Sequence, residues 1–310
     1  RFLRYTGFAP IVIGKGWYRM EKDENGAIWY KGNLHTHTTR SDGRKSPEEV
    51  MALYRDHGYD FLALTDHWIP SEEGERDGLL LVPGCEYDMG GCTQEGIFHI
   101  VGVGMRERPH LQRTSSLRPQ AVIDAVNRCG GLAVLAHPAW SMNRTADVLP
   151  LRGLAGTEIY NSVSGAPWNA RPYSGGFVDQ MALEGALLPC FAADDAHFYN
   201  GDALLSYIMV KASECTVPSI LAAIRRGDFY ATQGPRFSLT LEDGLLTVTC
   251  SPVSSVIFFS DLVYAPDRVT TGDGITRAVY QIKPGEHFLR VELQDAQGRS
   301  AWSSPLALAE

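Results

Sequence analysis

Short apolar runs, each ending on a polar or titratable residue, recur along the first two thirds of this chain. Trp29 to His37, Phe61-Leu62-Ala63-Leu64-Thr65, Leu79 to Val82, Ile97-Phe98-His99-Ile100-Val101, Leu132 to Ala136, Gly156 to Tyr160, Leu187 to Ala193 and Leu204 to Lys211 have strand length and strand composition. Between them lie segments with helical spacing. Ser46-Pro47-Glu48-Glu49 supplies a cap, a proline at the first helical position and acids in the first turn. Val50, Leu53 and Tyr54 then form an i, i+3, i+4 stripe that stops at Gly58. Pro119 to Cys129, Phe177 to Glu184 and Pro218 to Arg226 read as further helices. Strands alternating with helices predict a parallel sheet in a closed or nearly closed barrel.

The pattern changes after Gly234-Pro235. Arg236 to Glu242, Leu245 to Cys250, Val256 to Ser260, Ala278 to Lys283 and Phe288 to Leu293 read as short strands separated by Asp-Gly, Pro-Gly and Gly-Arg turns. At the other end, Trp17 to Met20 and Ala27 to Tyr30 flank a polar turn containing Asn25-Gly26, a hairpin cue. The expected organisation is therefore an N-terminal β-hairpin extension over 1–31, a barrel over 32–234 and a small β-sandwich over 235–310.

Composition narrows the class. With 44% hydrophobic and 21% charged residues in 310, the chain has the make-up of an ordinary globular protein with room for a large core. No apolar run approaches the roughly 20 residues of a membrane span. The opening Arg1-Phe2-Leu3-Arg4-Tyr5-Thr6 lacks both an initiator Met and the apolar core of a secretory signal. The net charge of −8 argues against a general nucleic-acid binder. Cys85, Cys92, Cys129, Cys190, Cys215 and Cys250 show no short zinc spacing and read as reduced core thiols, which points to a cytoplasmic setting.

The residues that end the apolar runs carry the candidate chemistry. Gly32-Asn33-Leu34-His35-Thr36-His37 places two imidazoles on one face of a strand end, with Asp42 arriving from the following turn. Later runs end at Asp66-His67, at Glu86, at His137-Pro138 and at Asp194-Asp195-Ala196-His197, and His99 lies inside one. Of the nine histidines, only His57, His110 and His287 lie outside this pattern. Ligand types gathered at the C-terminal ends of successive barrel strands predict a shared metal site.

His-x-His with Ser41-Asp42-Gly43, then Thr65-Asp66-His67, a strand-end Glu, an in-strand His, His-Pro and Asp-Ala-His occur here in order, and the set resembles the PHP (polymerase and histidinol phosphatase) family. The likeness covers roughly residues 30–232. The lead-in Trp29 to Leu34, the stretch Gly227 to Pro235 and a β-rich end near Ala301-Trp302 are similar to its stand-alone metallohydrolase branch. The resemblance implies a distorted seven-stranded (β/α) barrel with a trinuclear centre. Its ligands would be His35, His37, Asp42, His67, Glu86, His99, His137, Asp195 and His197. Asp194 stands where the family often has Ser; Asp195 is preferred as the ligand because it and His197, two apart, share a face.

Mixed nitrogen and oxygen donors without thiolate suit two or three divalent ions of manganese, iron or zinc. Such a centre generates a bridging hydroxide at neutral pH and holds phosphoryl oxygens. The expected function is hydrolysis of a small phosphate mono- or diester; the alternative is a carboxylic ester, amide or carbamate hydrolase at the same centre. Glu86, Asp66 and His197 are the candidate catalytic residues, with Glu86 bridging two ions and Asp66 transferring a proton or capping a turn. Arg40, Arg144 and Arg171 are candidate phosphate clamps, and Trp140, Asn161 and Trp168 candidate pocket residues. A structural metal module would need closed coordination. A nuclease would want a basic tract with interleaved aromatics, which is absent from the sequence.

Overall fold

The computed structural model describes residues 28–90 and 96–308. The expected hairpin within 1–31 and Cys92 therefore lie outside the described residues, apart from 28–31. The chain enters as β1 (Ile28–Asn33), α1 (Pro47–Asp56), β2 (Phe61–Leu62) and the hairpin β3 (Gly74–Arg76) and β4 (Leu79–Leu81). β5 (Gly84–Met89), β6 (Phe98–Val103), α2 (Pro119–Arg128) and β7 (Leu132–Leu135) follow. Next come α3 (Pro138–Ser141), α4 (Thr145–Val148), β8 (Leu154–Asn161), α5 (Gly175–Leu183) and β9 (Cys190–Ala193). β10 (Tyr207–Ala212), α6 (Val217–Arg226) and β11 (Phe229–Thr232) precede the last strands: β12 (Phe237–Glu242), β13 (Leu245–Ser260), β14 (Val269–Gln281), β15 (Phe288–Gln294), β16 (Ser300–Trp302) and β17 (Leu306–Ala307).

These strands do not close into a (β/α) barrel. They form two sheets, one of twelve strands and one of five in the order β5-β6-β7-β8-β9. The expectation assumed that every strand run parallel to its neighbour behind a crossover helix. Instead, β5, β6 and β7 pair antiparallel, and β10 pairs antiparallel with β1. Among the described strands, β1-β2, β2-β4, β7-β8 and β8-β9 pair in parallel, with isolated parallel bridges at Thr36–Ala196 and His67–Glu86. β9 packs near β10 and β11 but hydrogen-bonds to neither, so the ring stays open.

The C-terminal strands hydrogen-bond into the larger sheet. β16 pairs with β11 through Ala231 opposite Trp302 and Thr232 opposite Ala301, which makes the last strands a continuation of the larger sheet. β12, β13, β15 and β16 extend it in that order, with β14 on β13 and β17 on β15. The two strands expected at Leu245–Cys250 and Val256–Ser260 are one, β13, interrupted by register shifts around Val253 that bend it.

Apolar alternation explains the packing. Leu34 and Phe61 near one sheet and Val101, Val103, Leu132 and Val134 on the other join Ile220, Leu221 and Ile224 of α6 in one buried cluster. Tyr230, Leu246, Val248, Val256, Phe258, Tyr280, Val291 and Leu293 form a second beneath the final strands. α1 begins at the expected place: Ser46 Oγ accepts from Glu49 N at 3.3 Å, and Glu49 Oε2 accepts from Ser46 N at 2.8 Å. Its stripe buries Val50 and Tyr54 completely. Among the described residues, no helix is long and apolar enough to cross a membrane.

Candidate metal centre

Six chain segments converge at one end of the two sheets. His35 and His37 follow β1, His67 follows β2, Glu86 lies on β5, His99 on β6, His137 follows β7, and Asp195 and His197 follow β9. Backbone bonds tie the first and last of these together: Asp195 N donates to His35 O at 2.8 Å and His37 N to Ala196 O at 3.0 Å. His137 and Asp195 both adopt positive φ, 28° and 52°, conformations that side chains rarely take and that local packing must hold in place.

The donor atoms fall into three overlapping groups: His37, Asp42, His67 and His197; His35, His37, Glu86 and Asp195; and Glu86, His99 and His137. Glu86 belongs to two of them. Its Oε2 lies 3.4 Å from His35 Nε2, 3.1 Å from His37 Nε2 and 3.2 Å from His67 Nδ1. Its Oε1 lies 2.8 Å from His99 Nδ1 and 3.4 Å from His137 Nε2. Asp195 Oδ1 sits 3.1 Å from His35 Nε2 and 3.0 Å from His37 Nε2. Exposed Asp42 reaches both His67 and His197 at 3.5 Å.

These separations would permit hydrogen bonds, yet His35 Nε2, His37 Nε2, His67 Nδ1 and Asp195 Oδ1 are buried without one. Their directions converge on shared space rather than on each other. Buried polar atoms are seldom left unpaired, because each costs about 1–3 kcal/mol. Nitrogen and oxygen donors arranged so fit divalent cations, and the residues present could hold them.

The electrostatics agree. Burial disfavours a charged His35, but Asp195, Glu158 and Glu86 outweigh it and hold its pKa well above the ordinary histidine value. His37 is likewise held well above, against its burial, by Asp195, Asp42 and Glu86. Burial would raise Glu86 and Asp195, but the surrounding imidazoles keep both far below the usual carboxylate range.

The two neighbouring aspartates do different work. Asp194 is turned away from the histidines and accepts from Asn33 Nδ2, Tyr54 Oη, Ser162 Oγ and the backbone N–H groups of Leu204, Leu205 and Ser206. Burial still pushes it up to about 6. Asp195 alone of the pair faces the cluster.

Asp66 is buried outside the donor groups and accepts from Thr38 N, Thr38 Oγ1, Ser41 N and Ser41 Oγ at 2.8–3.2 Å, bonds that brace the loop carrying Asp42. Asn161 is fully buried and fully bonded: Nδ2 donates to Glu158 and Asp195, and Oδ1 accepts from Ser164. The bond from its amide nitrogen steadies Asp195. Arg144 is clamped by Asp147 at 2.6 and 2.9 Å, while Arg40 and Arg171 stand exposed on outer loops. Trp140 packs its ring 4.9 Å from that of His137, and Trp168 stacks on Phe198 at 3.8 Å.

Sequence reading missed the carboxylates behind the histidines. Glu158 Oε1 lies 2.7 Å from His35 Nδ1, and its Oε2 accepts the His137 backbone N–H at 2.9 Å. Asp88 Oδ1 lies 3.2 Å from His67 Nδ1. A usable signal existed for the first: Glu158 is a charge inside the otherwise apolar run Gly156 to Tyr160. Ser141 completes the set, with its Oγ 3.1 Å from His137 Nδ1. Glu158 and Ser141 each meet Nδ1 of an imidazole whose Nε2 faces the cluster, and such partners set its tautomer and orientation.

No family model and no curated protein matches the chain. Among solved structures, a two-domain protein from Bacteroides vulgatus containing a predicted PHP-like metal-dependent phosphoesterase is 15% identical, with a TM-score of 0.52 over 94% of this chain and 100% of its own. An amidohydrolase from Chromobacterium violaceum, with bound sulfate and no metal, is 17% identical at a TM-score of 0.39 and covers 55% of this chain and 89% of its own. At such identity, likeness speaks for architecture alone. The chain shares the fold of the PHP-like two-domain protein.

Proposed function

We propose that this protein is a metal-dependent hydrolase whose substrate is a small phosphate mono- or diester. The observation that carries the reading is the set of unpaired, buried donors around Glu86, which suits two or three divalent ions of manganese, iron or zinc. The proposed ligands are His35, His37, Asp42, His67, Glu86, His99, His137, Asp195 and His197.

Bound ions would supply Lewis-acid charge to phosphoryl oxygens and lower the pKa of water toward 7. The chain's residues do the rest. Glu86, with one oxygen toward His35 and His37 and the other toward His99 and His137, fixes the spacing between neighbouring ion positions. Glu158, Asp88 and Ser141 hold imidazole orientations so that little reorganisation is needed during reaction. Asp42 is half exposed at the mouth between His67 and His197, where an entering substrate meets the cluster. His197 donates Nδ1–H to the Asp195 carbonyl at 2.7 Å, which leaves Nε2 directed at Asp42 and the centre.

Purified protein loaded with manganese, iron or zinc should cleave p-nitrophenyl phosphate or bis-p-nitrophenyl phosphate, and chelation should abolish the activity. If loaded protein turns over only naphthyl acetate or an aryl carbamate, the phosphoester assignment fails and the acyl alternative stands.

A further inference from the structure

A phosphate ester brings negative charge beyond the oxygens that bound ions would hold, and a side-chain cation at the edge of the centre would receive it. Arg113, in the irregular segment between β6 and α2, reaches the edge of this region. Its Nη2 donates to Asp88 Oδ2. Asp88 follows Glu86 by two positions on β5, so alternation puts both on the face of the centre. The other oxygen of Asp88 lies 3.2 Å from His67 Nδ1 and accepts from Trp68 Nε1 at 2.9 Å. The guanidinium carbon sits 5.9 Å from the Trp68 ring centroid. Among the described residues, no other arginine pairs with a carboxylate that contacts a cluster histidine.

We propose that Arg113, tethered by Asp88 and braced on Trp68, binds the phosphoryl oxygens of the substrate at the His67 edge of the centre. A guanidinium has five donors, and Asp88 engages only one nitrogen of the fork. The side chain is 62% exposed, so the remaining N–H groups face incoming ligand. Asp88 limits the motion of a long side chain and so lowers the entropy lost on binding. Planar, two-point recognition of phosphate is what distinguishes Arg from Lys here. The inference rests on the phosphoester reading above.

The test is calorimetric binding of inorganic phosphate to metal-loaded wild type, Arg113→Ala and Arg113→Lys, with metal content measured alongside. Arg113→Ala should weaken phosphate binding by about 10- to 100-fold, the loss of charge-assisted hydrogen bonds, and Arg113→Lys should recover only part. With p-nitrophenyl phosphate, KM should rise by a similar factor while kcat changes far less; a neutral aryl acetate should show a smaller rise. Equal phosphate affinity in wild type and Arg113→Ala overturns the proposal. So does loss of metal from Arg113→Ala, which would make the arginine a support for Asp88 and His67 only. If wild type binds phosphate through Arg113 yet cleaves no phosphate ester, the proposed reaction fails and the anion site stands.

Discussion

Arg290, wholly buried on β15, is gripped by Asp179 of α5, with Nε and Nη2 donating at 2.5 and 2.7 Å to the two carboxylate oxygens. The same guanidinium bonds Glu292 and lies 4.0 Å from the centroid of Phe259. Glu292 in turn accepts from Tyr173, whose backbone pairs with Tyr160 beside Asn161. One buried cation thus ties the C-terminal strands to the segment that carries Glu158 and Asn161. Removing one member of a buried pair strands the other charge, so Arg290→Ala should cost about 3–5 kcal/mol in urea unfolding. A loss below about 1 kcal/mol would show that the link carries no weight.

Asp194 and Asp195 should separate cleanly. Asp194→Asn leaves buried donors without an acceptor and should lower stability by about 1–3 kcal/mol per stranded group. Asp195→Asn removes a carboxylate from the cation cluster and should lower bound metal far more than Asp194→Asn does, with a loss of metal-free stability because the imidazoles lose an ionised partner. Metal content by elemental analysis and urea midpoints, measured on both variants, decide the matter. The reverse pattern would move the ligand role to Asp194.

Glu158 touches His35 and the His137 backbone but belongs to none of the donor groups. Glu158→Gln should therefore weaken metal binding about 10- to 100-fold through loss of imidazole orientation. Chelator competition reads this directly, and an affinity equal to wild type would reduce Glu158 to a packing residue.

Metal retention should fall as pH falls. His35 and His37 hold their protons to higher pH than an ordinary histidine in the cation-free state, so proton competition begins at higher pH than it would at isolated imidazoles. Stabilisation by added metal should shrink in the same direction, because a ligand that binds only the folded state raises Tm in proportion to its affinity. Tm measured with and without manganese or zinc from pH 8 to pH 5 tests the sign. A metal-induced increment that grows toward pH 5 would contradict it.

The helix cap offers a control away from the centre. Ser46→Ala removes the Oγ acceptor of the Glu49 N–H, the side-chain half of the capping box on α1, and should cost about 1 kcal/mol with bound metal unchanged. A drop in metal content would mean that α1 positions the loop bearing Asp42.

Local chemistry made much of this protein readable from its sequence. Ligand types ending successive apolar runs stand out because burial of a bare charge is costly, so His35, His37, Glu86, His137 and Asp195 announce themselves one segment at a time. The α1 start at Ser46 and the helices over Pro119–Arg128 and Val217–Arg226 are legible for a similar reason, since caps and stripes depend on residues within one or two turns.

What the sequence could not decide is how distant segments pair. Strand periodicity is the same in parallel and antiparallel neighbours, so nothing local distinguishes a closed barrel from two sheets, the larger with β10 antiparallel to β1. The partners of polar residues are decided the same way: Asp66 meets Thr38 and Ser41, Asn161 meets Asp195, and Glu158 meets His35, because the fold delivers those donors. Glu158 meets His35 across 123 positions of sequence, and that encounter exists only in the folded chain.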